Sequence, residues 1–240
     1  MTGDDMADPR LSHLATPWTA LGEAHAAEGD PRLAQAKVLF HYRPAISRYL
    51  TKLTTNPDLA EELCQEFALR FLRGDFQNVR PERGRFRDYV KAALRNLVSD
   101  HYRRRTLPTE PLPSESQLPP ASGADEDDFS EIWSCELMLR AWAALRADSA
   151  AAGNHYYEAL RLKVEDPQRR AEDIATLLTQ RVGTPYKDVT VRQMLRRGRE
   201  KFTIFLRDAI RESLPADESD QVDQELADLG LLVYVTSPRR

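Results

Sequence analysis

The sequence predicts an all-α fold: two small helical domains joined by a flexible acidic linker. Apolar residues recur at a period near 3.6 in two long stretches, residues 32–105 and 131–214. Between them, residues 106–130 hold Pro108, Pro111, Pro113, Pro119 and Pro120 with Glu110, Glu115, Asp125, Glu126, Asp127 and Asp128 and no base. That composition carries too little apolar surface to fold. Within the two stretches an Asx residue stands directly before a proline at Asn56-Pro57 and Asp166-Pro167, a pattern that opens a helix. Outside the two domains lie an N-terminal extension, residues 1–31, and an acidic tail, residues 215–240.

The first domain begins with a helix carrying Leu39, Tyr42, Ile46, Tyr49, Leu50 and Leu53, which should end at Thr54, Thr55 and Asn56. Asn56 can cap the next helix. Pro57 suits its first position, where a missing N–H costs nothing, and Asp58, Glu61 and Glu62 suit the positive end of its dipole. This helix should bury Leu59, Leu63, Phe67 and Phe71, run to Arg73 and stop at Gly74. A basic loop, Asp75 to Arg85, then leads to a helix whose apolar face is Phe86, Tyr89, Val90, Ala93, Leu94, Leu97, Val98 and Tyr102.

The second domain opens with Ile132, Trp133, Leu137, Trp142 and Leu145, followed by Tyr156, Leu160 and Leu162. Asp166 and Pro167 are expected to open a short helix with Ala171, Ile174, Ala175 and Leu178. After a turn from Thr179 to Val189, Thr190 should begin a longer helix through a capping box with Gln193. That helix buries Val191, Met194, Leu195, Phe202, Phe205, Leu206 and Ile210 and leaves its other side basic. A short helix, a turn and a basic second helix form a helix-turn-helix pattern. The tail holds Asp217, Glu218, Asp220, Asp223, Glu225 and Asp228 and closes on the apolar run Leu231 to Val235, which suits a small docking strand or helix.

Composition narrows the function classes. With 41% hydrophobic and 30% charged residues over 240 positions, the chain is neither a collagen, a mucin nor a disulfide scaffold. Cys64 and Cys135 show no pairing motif or metal-ligand spacing, so a reducing compartment and two buried apolar fillers are expected. No run approaches the roughly 18 apolar residues that span a bilayer. Met1 to Pro9 has no basic stretch before a hydrophobic segment, so the expectation is a cytoplasmic protein without a membrane partner.

The formal net charge of −4 points to no polyanionic partner, but the charges are unevenly placed. Arg80, Arg83, Arg85, Arg87, Lys91, Arg95, Arg103, Arg104 and Arg105 stand against only Glu82, Asp88 and Asp100. Arg87, Lys91 and Arg95 recur every four residues and are expected to form a stripe opposite the Phe86 face. A second basic cluster, Lys187, Arg192, Arg196, Arg197, Arg199, Lys201, Arg207 and Arg211, falls on the last long helix. Two basic surfaces on an acidic tether suit a protein that bridges two separated DNA segments.

The order of these motifs resembles the extracytoplasmic-function type of bacterial RNA polymerase sigma factor. Leu59-Ala-Glu-Glu-Leu-Cys-Gln-Glu-Phe67 is similar to that family's acidic core-binding helix, Asp-Ala-Glu-Asp-Leu-x-Gln-Glu. Leu59 replaces the first acid, with Asp58 beside it. Phe86-Arg-Asp-Tyr-Val-Lys-Ala-Ala-Leu-Arg-Asn-Leu-Val-Ser-Asp-His-Tyr-Arg-Arg104 resembles its promoter-melting helix, and Tyr89 stands where the family has Trp. Thr190-Val-Arg-Gln-Met-Leu-Arg-Arg-Gly-Arg-Glu-Lys-Phe202 is similar to its recognition helix, from which it departs at Gln193 and Met194. The likeness covers residues 32–105, as a region 2-like bundle, and residues 156–214, as a region 4-like helix-turn-helix.

The resemblance implies a protein with no chemistry of its own and no cofactor, which binds core RNA polymerase and directs it to a promoter. Glu61, Glu62, Gln65 and Glu66 would then accept hydrogen bonds from the clamp helices of the β′ subunit. Asn78, Arg83, Arg85, Arg87, Lys91, Arg95, Asn96, Arg103 and Arg104 would hold the melted strand of the −10 element, with a base extruded into a pocket. Thr190, Arg192, Gln193, Arg196, Arg197 and Arg199 would meet the −35 element in the major groove. The second domain would also meet the flap of the β subunit.

Two other classes compete with this reading. A nuclease or recombinase lacks support, because His13, His25, His41, His101 and His155 are scattered and no Gly-rich phosphate loop or placed nucleophile occurs. A helix-turn-helix regulator acting without core polymerase would leave the Leu59 to Phe67 match unexplained. Regulation by an anti-sigma factor, by the C-terminal segment or by a Ser/Thr kinase is implied for such a family. Thr54 and Thr55 stand where a phosphate would add charge next to Asn56, and Asp217 to Asp228 could fold over the basic helix and shield it from DNA.

Overall fold

The computed structural model describes residues 31–73, 86–105, 128–214 and 221–235, and these contain nine helices and no strand. In chain order they are α1 (Pro31–Thr54), α2 (Pro57–Arg73), α3 (Phe86–Arg105), α4 (Asp128–Ala151), α5 (Tyr156–Glu165), α6 (Ala171–Val182), α7 (Asp188–Ser213), α8 (Val222–Asp228) and α9 (Leu232–Val235). The chain divides into two compact units, Met1–Phe129 and Ser130–Arg240. The expected basic loop, Asp75 to Arg85, and all of the linker except residues 128–130 lie outside the described residues. Residues 128–130 are helical, so α4 starts inside the stretch read as linker.

In the first unit α1, α2 and α3 all pack on one another. Leu39, Tyr42, Ile46, Tyr49 and Leu50 of α1 meet the core with Leu59, Leu63, Cys64 and Phe67 of α2, all of them buried. Phe86 places its ring edge-on to Tyr42 at 5.3 Å and to Phe71 at 6.0 Å, which fastens the start of α3. Phe129 closes the unit, 1% exposed and edge-on to Tyr49 at 5.2 Å. Beside it Asp128 pairs with Lys52 at 2.7 Å.

The corner between α1 and α2 is tied by side chains. Thr54, 5% exposed, donates its hydroxyl to the Leu50 carbonyl at 2.8 Å and the Asn56 carbonyl at 3.0 Å. Thr55 turns the chain with φ of +51°, a left-handed conformation that a β-branched residue enters only under strain. Asn56 Oδ1 then accepts the Asp58 and Leu59 N–H groups at 3.0 and 3.2 Å, the cap expected from the sequence.

The second unit is built around α7, on which α5, α6 and α8 pack. Val191, Leu195, Gly198, Phe202, Leu206, Ala209 and Ile210 form its buried line, while Met194 and Phe205 are only half-buried. Full burial of a side chain such as Leu206 contributes about 1.5–3 kcal/mol. Trp142 of α4 packs against Phe202 at 4.9 Å, and Arg140 pairs with Glu212 at 2.9 Å. Gly198 lets α5 come close: a Cβ there would lie 3.2 Å from the Tyr156 carbonyl oxygen.

Several local expectations are corrected. Asp166-Pro167 does not open α6. Asp166 instead accepts the Gln168 N–H at 3.0 Å, and Lys163 Nζ donates to the Pro167 and Arg169 carbonyls, which holds the connection in a turn. The helix begins at Ala171, where Asp173 reaches back to the Arg170 N–H at 3.1 Å. The following turn is shorter than Thr179 to Val189, because α6 continues to Val182 and ends at Gly183 with φ of +76°. Thr190 is not a cap. Asp188 starts α7 two residues earlier and pairs with Arg192 at 2.9 Å, so no capping box with Gln193 forms. Cys64 is buried, but Cys135 is exposed and fills no core.

The tail docks through two short helices. Val222, Leu226 and Leu231 are buried, and Asp223 of α8 accepts a hydrogen bond from Arg207 of α7 at 2.6 Å. That contact lies eleven residues beyond Arg196, about 16 Å along the helix, so α8 does not shield the start of α7. Of the closing apolar run only Leu231 is buried, whereas Leu232, Val233 and Tyr234 are exposed.

Candidate nucleic-acid interface

The acidic residues of α2 are graded in exposure by the helical period. Leu63, Cys64 and Phe67 point into the core, which turns Glu62 fully outward. Glu61 is half-exposed and lies 3.9 Å from Arg43, and Gln65 donates to it at 3.4 Å. Glu66 is paired with Arg70 and lies 3.8 Å from Arg104 of α3. The four residues share one side of α2, with Glu62 the most accessible anion.

On α3 the buried line is Arg87, Val90, Leu94 and Leu97. The expected stripe of Arg87, Lys91 and Arg95 is therefore corrected: Arg87 is 5% exposed, and Lys91 and Arg95 are half-buried. A three- and four-residue spacing places 87 on the core line with 90 and 94, a register that counting in fours from 87 misses. The outward face carries Asp88, Ala92, Asn96, Ser99 and Arg103. Arg103 and Arg104 are the most exposed bases here, at 71% and 65% of their side chains. Asn78, Arg83 and Arg85 lie outside the described residues.

Between α2 and α3 a cavity of about 180 Å³ is lined by Arg70, Tyr89, Asn96 and Asp100 among others. Burial pushes the Tyr89 phenol up to about 12, so the ring stays neutral at any physiological pH. Tyr89 is half-buried and stands next to Phe86, as an aromatic at the rim of the core.

In the second unit α6 and α7 pack on each other across a five-residue turn. Thr190, Arg192, Gln193, Arg196, Arg197 and Arg199 are all exposed on the first half of α7. Their partners differ. Arg192 is held by Asp188 and Arg196 by Glu200, each at 2.9 Å, whereas Arg197 donates to the Tyr156 hydroxyl oxygen at 3.2 Å. Tyr156, 41 positions away, has no local signal in sequence that links it to this surface.

Comparison with known families places the first of these surfaces. Residues 39–107 match Sigma-70 region 2. The Sigma-70 region 2 segment takes in α1 from Leu39, α2 and α3, and thus both the Glu62 face and the Arg103–Asn96 face. It spans under a third of the 240 residues and ends before α4, so it does not reach α6 and α7. No curated protein and no solved structure matches the chain. The Sigma-70 region 2 match supports a sigma factor role in transcription initiation, with core RNA polymerase and promoter DNA as the partners that such a region meets. The sigma factor family is non-enzymatic. Among the described residues no helix is long and apolar enough to cross a membrane.

Proposed function

We propose that the chain is a sigma factor of the extracytoplasmic-function type, which binds core RNA polymerase and selects promoters through two separate elements. The region 2 match carries this reading, because it coincides with an α2 that buries Leu63, Cys64 and Phe67 and projects Glu62 outward. Glu61, Glu62, Gln65 and Glu66 supply acceptors for basic groups on the β′ clamp helices. Asn96, Arg103 and Arg104 on α3 face the −10 strand, with Lys91 and Arg95 at the flank and Asn78, Arg83 and Arg85 on the preceding loop.

The helix-turn-helix supplies the second contact. Arg192, Gln193, Arg196, Arg197 and Arg199 occupy the start of α7, the part of a recognition helix that enters a major groove at a −35 element. Arg87 is set aside as a DNA contact because it lies in the core. Thr54 is set aside as a phosphorylation site, since its hydroxyl is buried and already bonded, while Thr55 is exposed.

The test is binding of the full chain to purified core polymerase. Wild type should bind, and Glu62→Lys should bind at least tenfold more weakly while folding normally. Equal binding by both would remove α2 from the interface, and no binding by wild type would leave a DNA-binding regulator instead.

A further inference from the structure

A cleft of about 240 Å³ opens beside the first turns of α7. One wall is the connection from α4 to α5, Gly153 to Tyr156; the other is Gln193 and Arg197, with Tyr186 of the turn at one end. Gly153 has φ of +62°, which turns the chain back toward α7. His155 packs edge-on to Tyr186 at 5.9 Å and fixes that end. None of Tyr156, His155 or Tyr186 belongs to the recognition helix.

The Arg197–Tyr156 pair joins the two walls. A guanidinium has no acceptor, so Arg197 donates and the Tyr156 oxygen accepts. The phenol keeps its own O–H to donate elsewhere, and a neighbouring cation makes it the stronger donor. The pair thus presents a positive charge and a polarised hydroxyl next to each other where the two walls meet. Arg192 and Arg196 differ in being held in direct ion pairs by Asp188 and Glu200, whereas Glu200 acts on Arg197 without a direct ion pair. Gly198 sets the spacing: it allows Tyr156 to approach α7 next to Arg197 more closely than any larger residue would.

We propose that Tyr156 and Arg197 form a clamp for one phosphodiester of the DNA backbone at the edge of the groove that α7 reads. Arg197 makes the ionic contact, and Tyr156 both positions it and donates a second hydrogen bond. The chemistry is that of an oxyanion with acceptors only, which both donors fit. This inference rests on the reading of α7 as a promoter-binding helix.

The experiment uses the full chain with core polymerase and promoter duplexes in which single phosphates are replaced, one at a time, by neutral methylphosphonates. At one position the replacement should weaken wild-type binding three- to tenfold. In Arg197→Ala that same replacement should cost less than twofold, and in Tyr156→Phe it should cost less than in wild type while keeping the ionic part of the loss, with other positions keeping their wild-type effect. Arg197→Ala should also lower the slope of log affinity against log salt by about 0.9, the value for one phosphate contact. Tyr156→Phe keeps the ring and the charge, so its slope should stay unchanged while its affinity falls at every promoter sequence alike.

Losses of equal size at every phosphate in the variants would overturn the clamp and leave Tyr156 a packing residue. Inorganic phosphate that competes with DNA in wild type but not in Arg197→Ala, at constant ionic strength, would assign the cleft to a free anion and overturn the backbone contact. Wild-type holoenzyme that fails to bind any promoter would bring down the promoter-binding reading itself, and the clamp with it. Promoter binding without the coupled position defeats the clamp alone.

Discussion

The corner at Thr54–Asn56 predicts opposite effects from two adjacent substitutions. Asn56 Oδ1 satisfies two N–H groups at the start of α2, so Asn56→Ala should cost about 1 kcal/mol, with an upper bound of about 2 kcal/mol. Thr55 sits at φ of +51°, where a side chain costs about 1–2 kcal/mol that glycine does not incur. Glycine gives back about 0.5–1 kcal/mol through the freedom of the unfolded chain. The net for Thr55→Gly is therefore a gain of about 0.5 kcal/mol. For a unit of this size, 1 kcal/mol corresponds to a midpoint shift of about 4–8 °C. Scanning calorimetry of the full chain should show one transition moving down in Asn56→Ala and up in Thr55→Gly, with core-polymerase affinity within twofold of wild type in both. A transition unmoved by Asn56→Ala, or lowered by Thr55→Gly, would refute the capping geometry and the strain.

Three further outcomes follow from burial and charge. Arg87→Ala should destabilise the first unit by about 1–2 kcal/mol through lost packing and leave the salt dependence of promoter binding unchanged, whereas Arg103→Ala should do the reverse; unfolding and DNA titrations separate them. Gly198→Ala should fail to yield the roughly 1 kcal/mol that alanine normally adds to a helix, because its Cβ meets the Tyr156 carbonyl oxygen; a stabilised variant in denaturant unfolding would contradict the close approach. The hydrogen bond from Arg207, and then its charge, hold the Asp223 carboxyl below its ordinary value. An acid lowered in the folded state adds stability above its unfolded value, about 3.9, and loses it as pH falls through the folded value. The protection of α8 amides, taken relative to their intrinsic exchange rates, should therefore fall below about pH 4 in wild type and show no such step in Asp223→Asn.

Much of the fold was legible in the sequence because its signals are local. The end of α1 at Thr54, the Asn56 cap and the span of α3 from Phe86 to Arg105 all rest on residues within a turn of one another. The start of α6 was not legible, because Lys163 and Arg169 hold the Asp166-Pro167 segment in a turn through bonds to carbonyls up to seven residues away. Thr190 has the right spacing to Gln193 for a capping box, yet Asp188 takes the first helical position ahead of it. On the candidate site, Glu62 and the exposed arginines of α7 follow from periodicity alone. Arg87 does not, since a charged residue on a core line is visible only once its neighbours are in place. The Tyr156–Arg197 pair joins residues from two helices and could be found only in three dimensions.

Run-off transcription is the most direct test of the central claim. Purified bacterial core polymerase, this protein and genomic promoter fragments should give a discrete new start site, lost with Glu62→Lys and with Arg196→Ala. Transcription identical to that of core polymerase alone would contradict the account.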